Sequence, residues 1–410
     1  MNHRLLALFL AAIFLFGMVG CGADKAPESS EPESSQDVSA ANEAEEPEKA
    51  EEPAETEIPA EEPEEPERID VVFGNKPNNL YQSSSAPCFG EGRIYYINRD
   101  NELASFALDG SDHLVHGSVG TVPDHTTPSG LNYYQNAVYF VVTVEEPEAR
   151  YPEIRRFDLA SNEVEPIASM IGNSEYNVTT ANGLAIINDD LYYSYYEGSI
   201  ANGRIVAGVI SLTSDQTNTI KTISSPCGVH QFVFDSDGKY LYMRSNDMGT
   251  VYRLPLSHVY DEEPECEQVL FGTADNSLTF DDGGFYVVVA KEDHSISYGF
   301  YDYEKANAQW EYDLVMDTIS DTAEDQEQLF LTNHYVLGQS MVCVSNAGSV
   351  LYSASADDLH LSDLVKLDFA YENGYGYVYW LGEYEDVLYV VSGTEDGEVL
   401  QAIAPDGSLR

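Results

Sequence analysis

Cysteine is the first residue type in this chain that could carry metal or redox chemistry. Four cysteines follow Cys21, and they are Cys88, Cys227, Cys266 and Cys343. None of them lies in a Cys-x-x-Cys pair, which argues against a zinc site. Cys343 lies in the apolar run Met341–Val344, as a buried core cysteine would. Whether any of the four forms a disulfide is left open by the sequence.

Histidine is the second such residue type, and the two closest histidines are His113 and His116. They fall on a predicted turn or strand, where a spacing of three does not make a ligand pair. The chain also has no Gly-x-Ser-x-Gly, no His-Glu-x-x-His and no Gly-rich phosphate loop. We therefore predict no catalytic residue, no metal ligand and no cofactor site.

The acidic segments offer one motif with metal character. Asp235-Ser-Asp-Gly238 begins like a calcium loop, but Ser245 and Asn246 stand where such a loop has its bidentate glutamate. A turn is the favoured interpretation. Pairs of carboxylates about 5–10 Å apart can also hydrolyse glycosidic bonds. With 71 acidic residues the sequence cannot single out such a pair.

Tyrosine and tryptophan crowd two segments near the C-terminal end. The residues concerned are Tyr371, Tyr375, Tyr377, Tyr379, Trp380 and Tyr384, and earlier Tyr298, Phe300, Tyr301 and Tyr303. Aromatic side chains of this kind anchor binding surfaces. They also fill the space between packed sheets, which is the favoured interpretation here. No ligand-binding residue can be named from sequence.

The N-terminal 20 residues predict export. Arg4 precedes an apolar run from Leu5 to Phe16, which is too short to span a bilayer, and small residues then lead to Cys21. This pattern resembles a bacterial lipoprotein signal, with Met18 at the position where that signal usually has leucine. The resemblance implies lipid attachment at Cys21 and an extracytoplasmic protein anchored to the bacterial cell membrane. The alternative is an ordinary secreted protein with a free cysteine.

Residues 21–68 predict a disordered linker. From Asp24 to Arg68 there are 18 acidic and 3 basic residues with seven prolines, and no aromatic residue. Such a composition cannot bury enough apolar surface to offset its chain entropy. The linker would reach roughly 40 Å as a coil and about 140 Å as extended polyproline. A cation-binding tail is the alternative.

Residues 69–410 form the predicted folded domain, and they remain strongly acidic. The whole chain has a net charge of -52, of which about -38 belongs to this domain. Such a surface repels nucleic acid phosphates and anionic lipid headgroups. We therefore expect no nucleic acid partner, a monomer, and a partner that is cationic or neutral.

A repeated strand core predicts an all-β propeller. The cores are Arg93–Ile97, Ala137–Val141, Asp190–Tyr193, Lys239–Met243, Gly284–Val288, Ser340–Val344 and Val387–Val391. Their average spacing of about 49 residues is that of propeller blades. Asp and Gly turn signals precede the cores, and a second alternating run follows them, as at Glu102–Leu108. We predict seven blades.

The run from Ile94 to Ser111 resembles the propeller domain of unknown function found in bacterial lipoproteins, which is distantly similar to the YWTD propellers of lipoprotein receptors. The resemblance implies a fold and a surface location, and no activity. No YWTD string occurs in the chain.

The expected function is a binding or scaffold module that presents loops or a central funnel to a protein, peptide or glycan. The alternative is an extracellular hydrolase or lyase with carboxylates around the funnel. A third candidate is a partner in envelope assembly held by its rim. For the ring closure, we expect Ile69–Phe73 to supply the outer strand of the final blade.

Overall fold

The structure is a computed structural model, and it describes part of the chain. The described residues are 66–74, 86–122, 128–146, 149–169, 178–198, 202–224, 232–245, 250–270, 277–281, 283–290, 295–305, 307–315, 334–337, 340–344, 351–355, 365–367, 378–394, 397–406 and 408–410. Within these ranges the chain is all-β, and the single helical element is a short 3₁₀ turn at Leu256–His258. The predicted linker up to residue 65 lies outside them.

The strands form consecutive antiparallel sheets in which each strand pairs with the next along the chain. Sheet one contains β1 (Cys88–Gly90), β2 (Arg93–Ile97), β3 (Glu102–Ala107) and β4 (His113–Ser118). Sheet two contains β5 (Ser129–Tyr134), β6 (Ala137–Glu146), β7 (Ala149–Asp158) and β8 (Glu163–Ser169). Sheet three contains β9 (Val178–Ile187), β10 (Asp190–Glu197), β11 (Arg204–Ser211) and β12 (Thr217–Ser224).

The later sheets repeat this arrangement. Sheet four contains β13 (Phe232–Ser236), β14 (Tyr240–Ser245), β15 (Thr250–Pro255) and β16 (Glu267–Leu270). Sheet five contains β17 (Ser277–Asp281), β18 (Gly284–Ala290), β19 (Ser295–Asp302) and β20 (Asn307–Val315). Sheet six contains β21 (His334–Leu337), β22 (Ser340–Val344), β23 (Leu351–Ser355) and β24 (Val365–Leu367). Sheet seven contains β25 (Val378–Tyr384), β26 (Val387–Thr394) and β27 (Gly397–Ile403).

The strand cores read from the sequence are all second strands of these sheets. Each core is a mostly apolar run, and all but Ser340–Val344 contain aromatic residues, because a second strand is covered on both faces and flanked on both edges. In β2, for example, Ile94, Tyr95, Tyr96 and Ile97 are all buried. The alternating run at Glu102–Leu108 is β3, the third strand, as expected.

The predicted Asp and Gly turns join the first strand to the second. Glu91 and Gly92 both have positive φ (49° and 70°), and so do Asn188 (56°) and Gly238 (86°). Glu91-Gly92 and Asn188-Asp189 are two-residue hairpin turns, and Gly238 lies in a longer turn. Tight turns of this kind use left-handed backbone, which Gly and Asn adopt at low cost. The turn signals therefore placed the first hairpin of these sheets correctly.

Each sheet packs face to face with its neighbour in sequence. Apolar clusters fill the space between sheets one and two, two and three, and three and four. Sheets four and five meet through Tyr242 and Tyr303, whose ring centroids are 4.3 Å apart. Contacts continue from sheet five to six and from six to seven. Sheet seven then contacts sheet one, where Phe89 lies 5.7 Å from Tyr389 between ring centroids. The fold is a β-propeller, in which the first strands surround a central channel.

Residues 69–74, which we call the strap, do not lie where the sequence analysis expected. They do not pair with the final sheet. The Ile69 amide donates to Gly238 O (2.9 Å) in sheet four, and Phe73 forms an antiparallel bridge with Ile187 of β9 in sheet three. The expectation was wrong because Val71 and Phe73 find their apolar partners between sheets three and four.

The outer edge of the final sheet is instead taken by the C-terminal residues. Arg410 and Ala402 exchange backbone hydrogen bonds, and Leu409 bridges Ile403. Asp406 makes this reversal, because its carboxylate accepts hydrogen bonds from the backbone amide (3.0 Å) and the hydroxyl (2.5 Å) of Ser408. Among the described residues, no segment from the start of the domain pairs with the final sheet.

Candidate functional site

The predicted lipid attachment site, Cys21, lies outside the described residues, as do Cys227 and the tyrosines at 371, 375 and 377. Of the remaining cysteines, Cys88 and Cys266 are free thiols. Cys88 is fully buried, and its desolvation raises the pKa of the thiol far above its ordinary value. It is a core cysteine and not a reactive one.

His113 and His116 both lie on strand β4, and they face opposite sides of sheet one. His113 stacks on Phe106 with a centroid distance of 4.3 Å, on the side of sheet seven. His116 lies 5.7 Å from the ring of Tyr95, on the side of sheet two. Of the turn or strand expected from sequence, the structure shows a strand, whose opposite faces carry the two rings.

The residues with the most catalytic character meet between sheets one and two. Ser105 Oγ lies 2.8 Å from His116 Nε2, the separation of a serine nucleophile from its general base. Arg93 also reaches this hydroxyl, since its Nε donates to Ser105 Oγ at 2.9 Å. The same guanidinium binds Asp112 through its carboxylate (2.9 Å) and its backbone oxygen (3.1 Å).

The electrostatics of this cluster favour a neutral histidine. Burial, followed by the nearby charge of Arg93, lowers the pKa of His116. A neutral imidazole can accept the serine proton, as a general base does. Ser105 itself, however, is 0% exposed, and its oxygen already accepts a hydrogen bond from Arg93. The cluster therefore ties the turn before β4 to strand β3, and a substrate carbonyl cannot reach the hydroxyl in this conformation.

A second polar cluster joins sheet one to sheet seven. Tyr96 Oη donates to Glu398 Oε2 (2.5 Å) and lies 2.9 Å from His113 Nε2. Because the tyrosine proton goes to Glu398, the histidine nitrogen must donate to the tyrosine oxygen. Desolvation and the bond to Glu398 raise the pKa of Tyr96 well above its ordinary value, so it stays a donor.

Hydrogen bonds from tyrosine to carboxylate recur at other contacts between sheets. Tyr134 of sheet two donates to Asp189 (2.7 Å), and Tyr260, which lies between β15 and β16 of sheet four, donates to Asp190 (2.6 Å). Tyr303, which follows β19 in sheet five, donates to the buried Asp235 of sheet four. Burial and the bond to Asp189 raise the pKa of Tyr134 to about 12, which keeps its hydroxyl protonated at neutral pH. The sequence analysis did not predict these pairs. The one sequence signal for them is the large number of tyrosines in a strongly acidic chain.

The calcium-like motif proves to be a turn, as the sequence favoured. Asp237 Oδ1 accepts the amides of Lys239 (2.8 Å) and Tyr240 (2.7 Å), and its Oδ2 accepts the hydroxyl of Tyr242 (3.1 Å). This is the chemistry of a turn aspartate. In the ranges that the structure describes, no group of His, Cys, Asp and Glu is arranged to hold a metal ion.

The aromatic residues that can be described pack between sheets. Tyr301 is buried beside Tyr242, with ring centroids 6.5 Å apart. Tyr384 is more exposed and stacks on Phe89 at 5.2 Å. Both contacts join one sheet to the next, as the favoured interpretation of these aromatic segments expected.

No family model matches this chain, and no curated protein matches it. Among solved structures, the chain is similar to one from a study of two prolyl endopeptidases, with 14% identity, a TM-score of 0.49, and coverage of 81% of this chain and 50% of that one. A second is the β-propeller domain of the Trilobed protease from Pyrococcus furiosus (10% identity, TM-score 0.42, 71% and 84% coverage). A third is TolB from Acinetobacter baumannii (16% identity, TM-score 0.36, 65% and 61% coverage).

The chain spans about half the length of the first of these proteins. Similarity at this level says nothing of activity, substrate or partner. As for membrane crossing, none of the described residues belongs to a helix with the length and apolar character that a bilayer span requires.

Proposed function

We propose that this protein is a membrane-anchored, extracytoplasmic propeller of seven blades that acts as a binding or scaffold module for a protein, peptide or glycan. The anchor is lipidated Cys21, and residues 21–68 are the spacer that holds the domain away from the membrane. The signal pattern and the acidic, proline-rich composition support this part of the proposal.

The observation that favours a binding function over a catalytic one is the placement of Ser105. It is the described residue whose surroundings most resemble those of a catalytic nucleophile, and it is fully buried with its oxygen bound by Arg93. His113 and Glu398, which both contact the Tyr96 hydroxyl, are likewise engaged between sheets. The fold uses these side chains to join its sheets, and a propeller built in this way presents loops to a partner.

Anchoring is tested by replacing Cys21 with serine. The wild-type protein should take up a labelled fatty acid and sediment with membranes, whereas Cys21→Ser should do neither. Cys88→Ser, which changes the buried thiol, is the matched control and should remain on the membrane. Equal sedimentation of Cys21→Ser and wild type would contradict the anchor.

Binding is tested with the secreted protein in which Cys21 is replaced. It is applied to a glycan array and used as bait against extracytoplasmic proteins. We expect saturable binding of a ligand. The protein that also carries Ser105→Ala should bind this ligand in the same way. Absence of binding together with turnover of a polymer would overturn the proposal in favour of a hydrolase or lyase. Loss of that turnover in Ser105→Ala would assign it to the Ser105 cluster.

A further inference from the structure

Strand β9 has one edge that no strand of its own sheet covers. β9 is the first strand of sheet three and pairs with β10 alone, so its other edge faces the central channel. On this edge Ile186 O accepts the amide of Gly74 (2.8 Å), and Asn188 N donates to Val72 O (2.7 Å). The side chain of Asn188 also accepts the amide of Val72 (3.0 Å). The strap therefore pairs with the channel-side edge of β9 through a single antiparallel bridge, between Phe73 and Ile187.

The side chains of the strap alternate as those of a strand do. Val71 and Phe73 point inward and pack on the apolar cluster between sheets three and four. Val72, between them, is 60% exposed. The alternation covers residues 71–73 and does not extend to Ile69, which is 48% exposed. Backbone hydrogen bonds hold the strap, and its side chains at alternate positions, Val71 and Phe73, are partly buried against the apolar cluster. We call the two places that they contact the apolar pockets. Backbone hydrogen bonds and alternate apolar contacts are the two components of recognition by strand addition.

The backbone at both ends of the strap fits tightly against the sheets. A Cβ on Gly238 would lie 2.3 Å from Ile69 O, and the positive φ of Gly238 (86°) also favours glycine there. A Cβ on Gly74 would lie 2.9 Å from Ile186 Cβ and 3.0 Å from Tyr133 O. The edge therefore admits an extended chain that has glycine directly after the second apolar residue.

We infer that the channel edge of β9, with the pockets between sheets three and four, is a strand-acceptor site for an extended peptide. Its ligand class is a segment with apolar side chains at alternate positions followed by glycine. The strap, as Val71-Val72-Phe73-Gly74, occupies the site within the chain. A peptide of the same chemistry binds there when the strap is released. This inference does not depend on the membrane anchor or on the proposed function.

The test uses a fluorescent peptide with the sequence of residues 66–76 and the full chain carrying Val71→Asp and Phe73→Asp. These substitutions place charges in the apolar pockets and release the strap, while the acceptor edge is unchanged. The peptide should bind this variant at least tenfold more tightly than it binds the wild type. Val72→Asp is the matched control: its side chain points to solvent, so the strap stays in place and the peptide binds as weakly as it binds the wild type.

Binding of the peptide should depend on its own two apolar side chains. A peptide that carries Val71→Asp and Phe73→Asp should therefore fail to bind the variant whose strap is released. If the double variant does not fold, Phe73→Ala replaces it in the same titration. A folded, strap-released protein, as judged by near-ultraviolet circular dichroism, that binds the peptide no better than wild type would overturn the inference.

Discussion

At Ser105 a hydroxyl with the distances of a nucleophile is used to hold the fold together. Replacing Ser105 with alanine removes the acceptor for Arg93 Nε and the partner of His116 in a place that water does not reach. The free energy of unfolding should fall by about 1–3 kcal/mol. Urea denaturation at pH 7 measures it.

Ser111 provides the control for this substitution, because its hydroxyl binds Asp109 on the exposed side of a turn. Ser111→Ala should change stability by less than about 0.5 kcal/mol. Equal effects of the two substitutions would mean that the Ser105 cluster adds nothing to stability.

The raised pKa of Asp190 predicts that the contribution of this residue to folding stability falls as the pH rises. Burial raises the pKa of this carboxyl above its ordinary value of 3.8, so the folded state holds the proton more tightly than the unfolded state does. The contribution of Asp190 to stability is therefore full below pH 3.8 and is lost as the pH rises through its raised pKa. Asp190→Asn keeps an acceptor for Tyr260 and should be more stable than wild type at pH 7, with the gain shrinking toward pH 4.

Asp109 gives the opposite case. Hydrogen bonds from the hydroxyl and amide of Ser111 lower the pKa of its carboxyl. Its contribution is present above pH 3.8 and is lost as the pH falls through the lowered pKa. Urea titrations of Asp190→Asn and Asp109→Asn between pH 3 and 7 should diverge from wild type in opposite directions, and parallel curves would contradict both assignments.

Among the strands, Asn132 of β5 fastens the first strands of sheets two and three together. Its amide donates to Leu184 O (2.9 Å) and accepts from Ile186 N (3.3 Å), and it is 1% exposed. Asn132→Ala would leave two buried backbone groups of β9 without partners and should cost about 2–4 kcal/mol. Urea denaturation measures the loss, and Gln216→Ala, at an exposed amide, should have almost no effect.

The strands were largely predictable from sequence because their patterning is local. Apolar and aromatic runs such as Arg93–Ile97 and Ser340–Val344 coincide with second strands, and turn signals such as Asn188-Asp189 mark the hairpins before them. The position of the strap was not predictable in this way. A short segment with four apolar residues around Asp70 suits any uncovered edge, and the choice of β9 depends on residues more than 100 positions away.

The candidate polar clusters were less accessible to sequence reasoning. His113 and His116 were noticed for their spacing, but Tyr96 and Glu398 lie 302 positions apart and Tyr303 and Asp235 lie 68 apart. With 29 tyrosines and 71 acidic residues, a single sequence holds too many such combinations to choose among. The fold decides which of them meet.

For the whole molecule, the contact between sheets seven and one is where we expect the ring to open first. The described contacts there are made by side chains, among them Phe89, Tyr389 and the Tyr96–Glu398 bond. Tyr96→Phe should lower the free energy of unfolding by about 1–3 kcal/mol. Hydrogen exchange should quicken in β2–β4 and β27 before it does in β9–β11.

Tyr134→Phe is the control, because it removes the same kind of hydrogen bond between sheets two and three. The chain connects these two sheets directly, and the hydrogen bond from Tyr134 to Asp189 is exposed. Its effect should stay below about 1 kcal/mol. Exchange that quickens uniformly over the domain in Tyr96→Phe would mean that the ring does not open first at this contact.

The strap also determines how the domain responds to mechanical force. Force applied to the chain ahead of residue 66 acts first on Ile69. The hydrogen bond from the Ile69 amide to Gly238 O is therefore the first to be loaded. The bonds of Val72 and Gly74 to β9 follow in order, so the strap peels one attachment at a time while the sheets remain intact. Stretching in an optical trap should then show a small early extension before the ring unravels.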